Sequence, residues 1–167
     1  MEEVKAVPKR EECDPKYQWH IEDLYASDDL WQKDYELLEK SIPELASYEG
    51  RLGESVHTFL EYMNKKQEIM KRFEAVYVYA NQKYHEDTGN AVYQKLTAQA
   101  QMLSLKLSSV TVFEEPELLA VGKETVDGWF KETEDMELYR RFFYELFRQQ
   151  EHVLSKEMER SEERRVG

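Results

Sequence analysis

Four histidines are the first residues to consider for chemistry, because imidazole binds catalytic metals and carries protons near neutral pH. They are His20, His57, His85 and His152. His85 is followed by Glu86, as in the zinc motif H-E-x-x-H, whose second histidine would fall at position 89. That position is glycine, so only one imidazole is available on that helical face. The pattern favours a polar histidine at a helix end over a zinc ligand.

Glu54 and His57 have the Glu-x-x-His spacing that di-iron helical bundles use. Such a site needs two of these motifs and two further glutamates, and the chain has no second Glu-x-x-His. A surface pair on the first turn of a helix is therefore the better interpretation. A small helical metal enzyme built on His57 and scattered carboxylates is kept as a third hypothesis, which a metal analysis without stoichiometric metal would exclude.

Two other patterns allow a chemical interpretation and a structural one. Glu114-Glu115 could act as a general acid and base, but among 35 acidic residues such a pair also fits a solvated helix start. An aromatic stripe could line a peptide groove, although its helical spacing is more typical of a core. Its members are Tyr77, Tyr79, Tyr84, Tyr139, Phe142, Phe143 and Tyr144.

The remaining chemical motifs are missing from the sequence. Cys13 is the single cysteine, so the chain cannot form an internal disulfide, and we predict no functional role for its thiol. None of the six glycines forms a phosphate loop of the G-x-G or G-K-[ST] type. The sequence therefore predicts no catalytic, cofactor-binding or metal-ligating residue and no cofactor in this chain.

Composition limits the class of protein further. The 167 residues include 35 acidic and 23 basic side chains, and a net charge of −12 disfavours nucleic acids and anionic membrane surfaces as partners. Residues 1–10 lack the apolar stretch of a signal peptide, and apolar runs such as residues 75–80 fall far short of the ~20 residues of a membrane span. We expect a cytoplasmic protein.

Glycine and proline total only ten residues, which indicates few turns and long elements. The expected fold is all-α: an antiparallel bundle of about five to six helices with a long helical hairpin. The first helix should begin after the N-cap Ser27 and run over residues 28–48, and Pro43 should kink it or end it early. Its inward stripe consists of Trp31, Tyr35, Leu38, Ile42 and Leu45.

The second helix is predicted from residue 54 or 55 to 84 or 85, and the third over 90–112. A short turn at 87–90 joins them into the hairpin. Short helical stretches follow at 116–121 and 125–130, and the last helix covers 136–150. The expected inward residues of the third and last helices are Val92, Leu96, Gln99, Leu103, Leu107, Val110, Leu138, Phe142, Leu146 and Phe147.

Three regions are expected along the chain. Residues 1–18 form an irregular N-terminal arm, and residues 19–155 a helical domain that begins with an aromatic docking segment, 19–25. Residues 156–167 are almost entirely charged, which is typical of a frayed tail.

The order of six segments resembles the N-terminal region of oligoendopeptidase F, a member of the thimet-oligopeptidase-like zinc metallopeptidases (peptidase family M3). The segments are WHIEDLYASDDLW (19–31), SIPELASYEGRLGES (41–55), YVYANQKYHEDTGN (77–90), FEEPELL (113–119), LYRRFF (138–143) and HVLSKE (152–157). Two departures stand out: His20 replaces the family's usual aspartate, and a charged stretch replaces the apolar helix that usually follows the last segment.

The resemblance implies a parent enzyme that hydrolyses short peptides, with zinc held by two histidines and a glutamate in a later catalytic domain. The family's H-E-x-x-H is absent here, so the chain would be a non-catalytic N-terminal fragment with a truncated end, inactive alone. Its partners would be the missing C-terminal catalytic domain of the same polypeptide and short unfolded peptides. Its helices would form the channel wall or lid that limits substrate size. The alternative is a stand-alone acidic helical interaction module.

Overall fold

The computed structural model describes residue 8 and residues 10–149. This part of the chain is helical and contains no strand, which confirms the all-α prediction. The helices are α1 (Asp28–Ser41), α2 (Val56–Glu86), α3 (Ala91–Val110), α4 (Glu114–Val121), α5 (Lys123–Glu132) and α6 (140–149). Short 3-10 segments lie at Arg10–Glu12, Pro15–Tyr17, Ile21–Asp23, Ile42–Tyr48 and Glu134–Tyr139. Within the described range, no helix is long and apolar enough to span a membrane.

The described residues divide into two compact units. The first unit contains the described part of Met1–Ile42 together with Ile69–Leu107, and the second contains Pro43–Glu68 and the described part of Ser108–Gly167. The start of α2 therefore belongs to the second unit and the rest of α2 to the first. The predicted boundaries of the arm, domain and tail stay predictions, and the tail at 156–167 lies outside the described residues.

The start and end of α1 follow from single residues. The Ser27 side chain accepts a hydrogen bond from the backbone N–H of Leu30 at 3.4 Å, as an N-cap should. The helix ends at Ser41, two residues before Pro43, which confirms the prediction that this proline ends it early. The chain then continues as a 3-10 helix over Ile42–Tyr48. Three residues per turn suit the spacing of its buried residues Ile42, Leu45 and Tyr48.

The core of the first unit is organised by Trp31. Its side chain is fully buried, and its indole Nε1–H donates to the backbone oxygen of Val76 in α2 at 2.8 Å. The Tyr25 ring meets Tyr79 edge-on, with centroids 5.4 Å apart. Both phenols donate to carboxylates of α1, Tyr25 to Asp34 at 2.9 Å and Tyr79 to Asp28 at 2.7 Å. Burial and these hydrogen bonds raise the pKa of both tyrosines.

The turn between α2 and α3 contains polar caps at the predicted place. Asp87 Oδ1 accepts from the N–H of Gly89 at 3.0 Å, and Asn90 Oδ1 accepts from the N–H of Val92 at 2.9 Å. The Thr97 hydroxyl donates to the Ala80 carbonyl at 3.1 Å, and these two residues are nearly equidistant from the turn. This pairing is that of an antiparallel hairpin.

Several predicted details are wrong. The last helix begins at residue 140 rather than 136, because Glu134–Tyr139 is a 3-10 segment capped by Thr133. Its three-residue period buries Met136 and Tyr139 and leaves Leu138 81% exposed. Val92 is 53% exposed because it lies beside the hairpin turn, where α2 ends. In the docking segment, Ile21 and Tyr25 are buried, whereas Trp19 is 81% exposed.

The role of Trp31 can be tested by Trp31→Phe. We expect the free energy of unfolding to fall by about 2 kcal/mol, because the change removes buried ring volume and an indole hydrogen bond. Trp19→Phe, the same substitution at an exposed site, should change it by less than about 0.5 kcal/mol. Urea unfolding followed by circular dichroism measures both, and equal effects of the two variants would contradict this account of the core.

Candidate functional site

The candidate metal residues do not come together. His20, His57 and His85 are all exposed, and Glu54 pairs with Arg51 at 3.3 Å. Among the described residues, no group of three or more histidine, cysteine, aspartate or glutamate side chains could hold a metal ion. His152 lies outside the described residues.

Both residues of the predicted acid pair lie in the first turn of α4, but they differ in burial. Glu114 is buried, with 6% of its surface exposed, whereas Glu115 is exposed. The Tyr62 hydroxyl donates to Glu114 Oε2 at 2.7 Å, and the Lys66 ammonium donates to the same oxygen. Burial, and then the hydrogen bond to Glu114, raise the pKa of Tyr62. The buried carboxylate is thus compensated by two donors from α2, so the arrangement anchors α4 and does not form an acid–base pair.

A second carboxylate of α4, Glu117, holds the loop that precedes α2. One carboxylate oxygen accepts from the N–H of Gly50, and the other accepts from the N–H of Leu52 at 3.3 Å. Gly50 has φ +79°, a conformation that favours glycine. These two hydrogen bonds fix the path of the loop relative to α4 within the second unit.

The predicted aromatic stripe is divided between the two units. Tyr77, Tyr79 and Tyr84 belong to the first unit. Tyr139 and Phe143 are buried in the second, where their ring centroids lie 5.3 Å and 5.2 Å from that of Phe59. Tyr79, Tyr139 and Phe143 are core residues, as the spacing of the stripe indicated. Tyr84 and Phe142 are half-buried, and Tyr77 and Tyr144 are exposed.

A concave surface between α5 and α6 is the best candidate for binding, and we call it the aromatic groove. It encloses about 400 Å³. Its apolar lining is formed by Val126 and Phe130 of α5 and by Phe143 and Phe147 of α6. Its polar lining is formed by Lys123, Asp127, Arg140, Tyr144 and Arg148.

Of the seven residues that the sequence suggested for a peptide groove, only Phe143 and Tyr144 line the aromatic groove. The sequence did contain a pattern for the other apolar lining residues. Val126 and Phe130 are four residues apart and so share a face of one helix, and Phe143 and Phe147 share a face of another in the same way. What the pattern could not show is that these two helix faces meet.

Comparison with known proteins gives a consistent result. Residues 117–161 match the family model described as Oligopeptidase F (Peptidase_M3_N). The chain is 32% identical to oligopeptidase PepF of Bacillus subtilis over 95% of its length, and 34% identical to the group B oligopeptidase PepB of Streptococcus agalactiae over 90%. It superposes on the crystal structure of oligoendopeptidase-F from Enterococcus faecium with a TM-score of 0.65 and 30% identity, over 72% of the chain.

These matches cover only part of each relative. The chain spans 24% of PepF, 25% of PepB and 24% of the Enterococcus faecium structure. Fold and sequence together define the all-α N-terminal region of an oligopeptidase. The chain corresponds to the N-terminal region of a protein similar to oligoendopeptidase F, as the resemblance of its six segments predicted.

The raised pKa of Tyr62 predicts a loss of stability at alkaline pH. An unfolded tyrosine loses its proton near pH 10, whereas folded Tyr62 keeps it to higher pH. Its stabilising contribution is therefore complete below about pH 10 and is lost as the pH rises towards the folded-state pKa. Urea unfolding measures the free energy of unfolding at pH 8 and pH 10.5. Between these pH values it should fall less for Tyr62→Phe than for the unmodified chain. Tyr144→Phe, at a side chain 64% exposed, is the control, and an equal reduction in both variants would refute the assignment.

Proposed function

We propose that this chain is the non-catalytic N-terminal helical part of a zinc metalloendopeptidase that hydrolyses short peptides, and that it forms part of the wall or lid limiting substrate size. The observation that carries the proposal is continuous similarity to oligopeptidases over 95% of the chain but only 24% of the relative's length. The remainder of such a polypeptide would contain the catalytic domain, its main partner. Short unfolded peptides would be the substrates, and the cytoplasm the expected location.

The described residues do not fit a zinc site, because they contain no suitable group of ligands. We therefore assign no catalytic step to this chain. In the parent enzyme, zinc held by two histidines and a glutamate would activate water, and the glutamate of H-E-x-x-H would act as general base.

A channel wall that excludes large substrates must be rigid, so that contact with a peptide does not deform it. Two features of the second unit support that role. The Glu114 carboxylate anchors α4 to Tyr62 and Lys66 of α2, and the Glu117 carboxylate holds the loop at Gly50 and Leu52. Both contacts join segments far apart in sequence, so they resist bending of the helices against one another.

The coding DNA beyond Gly167, read in all frames, tests the assignment to a zinc peptidase. We expect it to encode H-E-x-x-H followed by a further glutamate on a helix. A genuine stop codon with no such motif nearby would contradict the proposal. It would favour the stand-alone interaction module, to which no peptidase activity should be transferred.

The wall function is tested separately by Glu117→Gln in the complete polypeptide. The substitution weakens the hydrogen bonds that hold the Gly50 loop, so the wall should exclude long peptides less well. The kcat/KM for long peptides should then rise about threefold relative to that for short ones, which corresponds to about 0.7 kcal/mol of lost selectivity. Hydrolysis of a peptide series of increasing length measures the ratio. Glu115→Gln, at the exposed neighbour, is the matched control and should leave the ratio unchanged. An unchanged ratio in Glu117→Gln, with its unfolding midpoint lowered, would refute the wall function.

A further inference from the structure

Helix α3 has two rows of residues with the spacing of a helix-packing seam, one on each side. The buried row on its inward face consists of Leu96, Ala100, Leu103 and Leu107. The row on the opposite face is exposed, and we call it the outer seam: Ala91, Lys95, Ala98, Met102 and Leu105. Both rows alternate steps of four and three residues, the spacing with which one helix packs along another. A helix with two such rows is suited to packing on both sides.

The outer seam has few of the charges that are common elsewhere in the chain. None of the 20 residues of α3 is acidic, although 35 of the 167 residues of the chain are. Of the two lysines of α3, Lys106 donates to the Glu39 carbonyl at 2.8 Å, which leaves Lys95 as the charged member of the seam. A helix face that stays in water normally has charged or polar side chains. The composition of this face is therefore that of a surface buried by a partner.

An exposed leucine of α1 shows the contrast with an ordinary surface position. Leu37 is 50% exposed and Leu105 is 66% exposed. Leu37 has the exposed lysines Lys33 and Lys40 one turn away on either side, whereas Leu105 follows Met102, itself 62% exposed, by one turn. A single apolar residue among charges is normal on a surface, but adjoining large apolar residues mark a contact region.

The shape beside the seam suits a helix as the partner. A concavity of about 340 Å³ lies between α1 and α3, and its lining consists of Tyr35, Glu39, Met102, Leu103, Leu105 and Lys106. A large side chain of a packed helix can enter it, while the small residue Ala98 allows the two backbones to approach closely. Lys95 would fix the register of the pair by meeting an acidic residue.

The length of the relatives indicates where such a helix would come from. Similarity to PepF extends over 95% of this chain but over only 24% of PepF, and the superposed Enterococcus faecium structure is covered to the same extent, 24%. In these proteins the region is thus one part of a chain about four times as long. An apolar seam with a single charge is typical of permanent contacts, which are more hydrophobic than transient ones.

We propose that the outer seam of α3 is the surface on which a helix of the remaining polypeptide packs, a proposal that rests on the function proposed above. The packed helix would place large apolar side chains over Ala98 and in the concavity beside Leu105, and an acidic residue near Lys95. The charged outer face of α1 around Leu37 stays in water.

Thiol labelling at the seam tests this assignment. Leu105→Cys is combined with Cys13→Ser in the 167-residue chain and in the complete polypeptide encoded past Gly167. Mass spectrometry of the peptide that contains residue 105 then gives the rate of reaction with N-ethylmaleimide. We expect labelling to be at least about tenfold slower in the complete polypeptide, because the packed helix must open before the reagent can enter.

Two further variants complete the experiment. Ala98→Cys hardly changes the side-chain volume, so it reports the same protection even where Leu105→Cys weakens the packing. Leu37→Cys is the matched control, since it also replaces an exposed helical leucine of the first unit, and it should react at nearly the same rate in both proteins. Circular dichroism verifies that each variant folds.

Three outcomes would overturn the assignment while leaving the peptidase function intact. The first is equal labelling of Ala98→Cys in the chain and in a complete polypeptide that hydrolyses peptides. The second is equal protection of Leu37→Cys and Leu105→Cys. The third is a dimer of the complete polypeptide that Leu105→Glu dissociates and Leu37→Glu does not, which would assign the seam to a second copy. A stop codon directly after Gly167 would instead overturn the proposed function and this assignment together.

Discussion

The continuity of α2 is the constraint on which the remaining structure depends. Its 31 residues supply central side chains to both compact units: Phe59 and Tyr62 to one, Val76 and Tyr79 to the other. Tyr62 in the second unit and Val76 in the first are both fully buried. The other helices complete each core, and the clearest contact is that of Trp31 in α1, whose indole N–H donates to the backbone oxygen of Val76 in α2.

Buried polar groups give each core its specificity. In the second unit, the free-energy cost of burying the Glu114 carboxylate is offset by hydrogen bonds from the Tyr62 hydroxyl and the Lys66 ammonium group. The first unit instead directs the phenols of Tyr25 and Tyr79 to carboxylates of α1 near the protein surface. In both units these hydrogen bonds define a single register between helices, which apolar contacts alone would specify less well.

Two features of the second unit bear on the proposed function through their shape and contacts. The carboxylate contacts of α4 join distant segments of the second unit, and the proposed role as a size-limiting wall depends on them. The aromatic groove on the same unit is a concave surface with both apolar and charged lining residues. The two features are separate in structure, since one depends on the anchoring of α4 and the other on the facing sides of α5 and α6.

Local signals in the sequence determined the all-α class, the Ser27 cap, the end of α1 before Pro43, the α2–α3 turn and the inward stripe of α1. Each depends on residues within a few positions of one another, so helical period, capping and proline geometry suffice to predict it. The similarity to the N-terminal region of oligoendopeptidase F, too, was recognisable from the order of six segments. Tertiary structure alone decided that Glu114 is buried while Glu115 is exposed, that Leu138 faces solvent, and that α5 and α6 enclose a groove. These outcomes depend on which distant helix face lies opposite each residue, and a local pattern contains no record of that pairing.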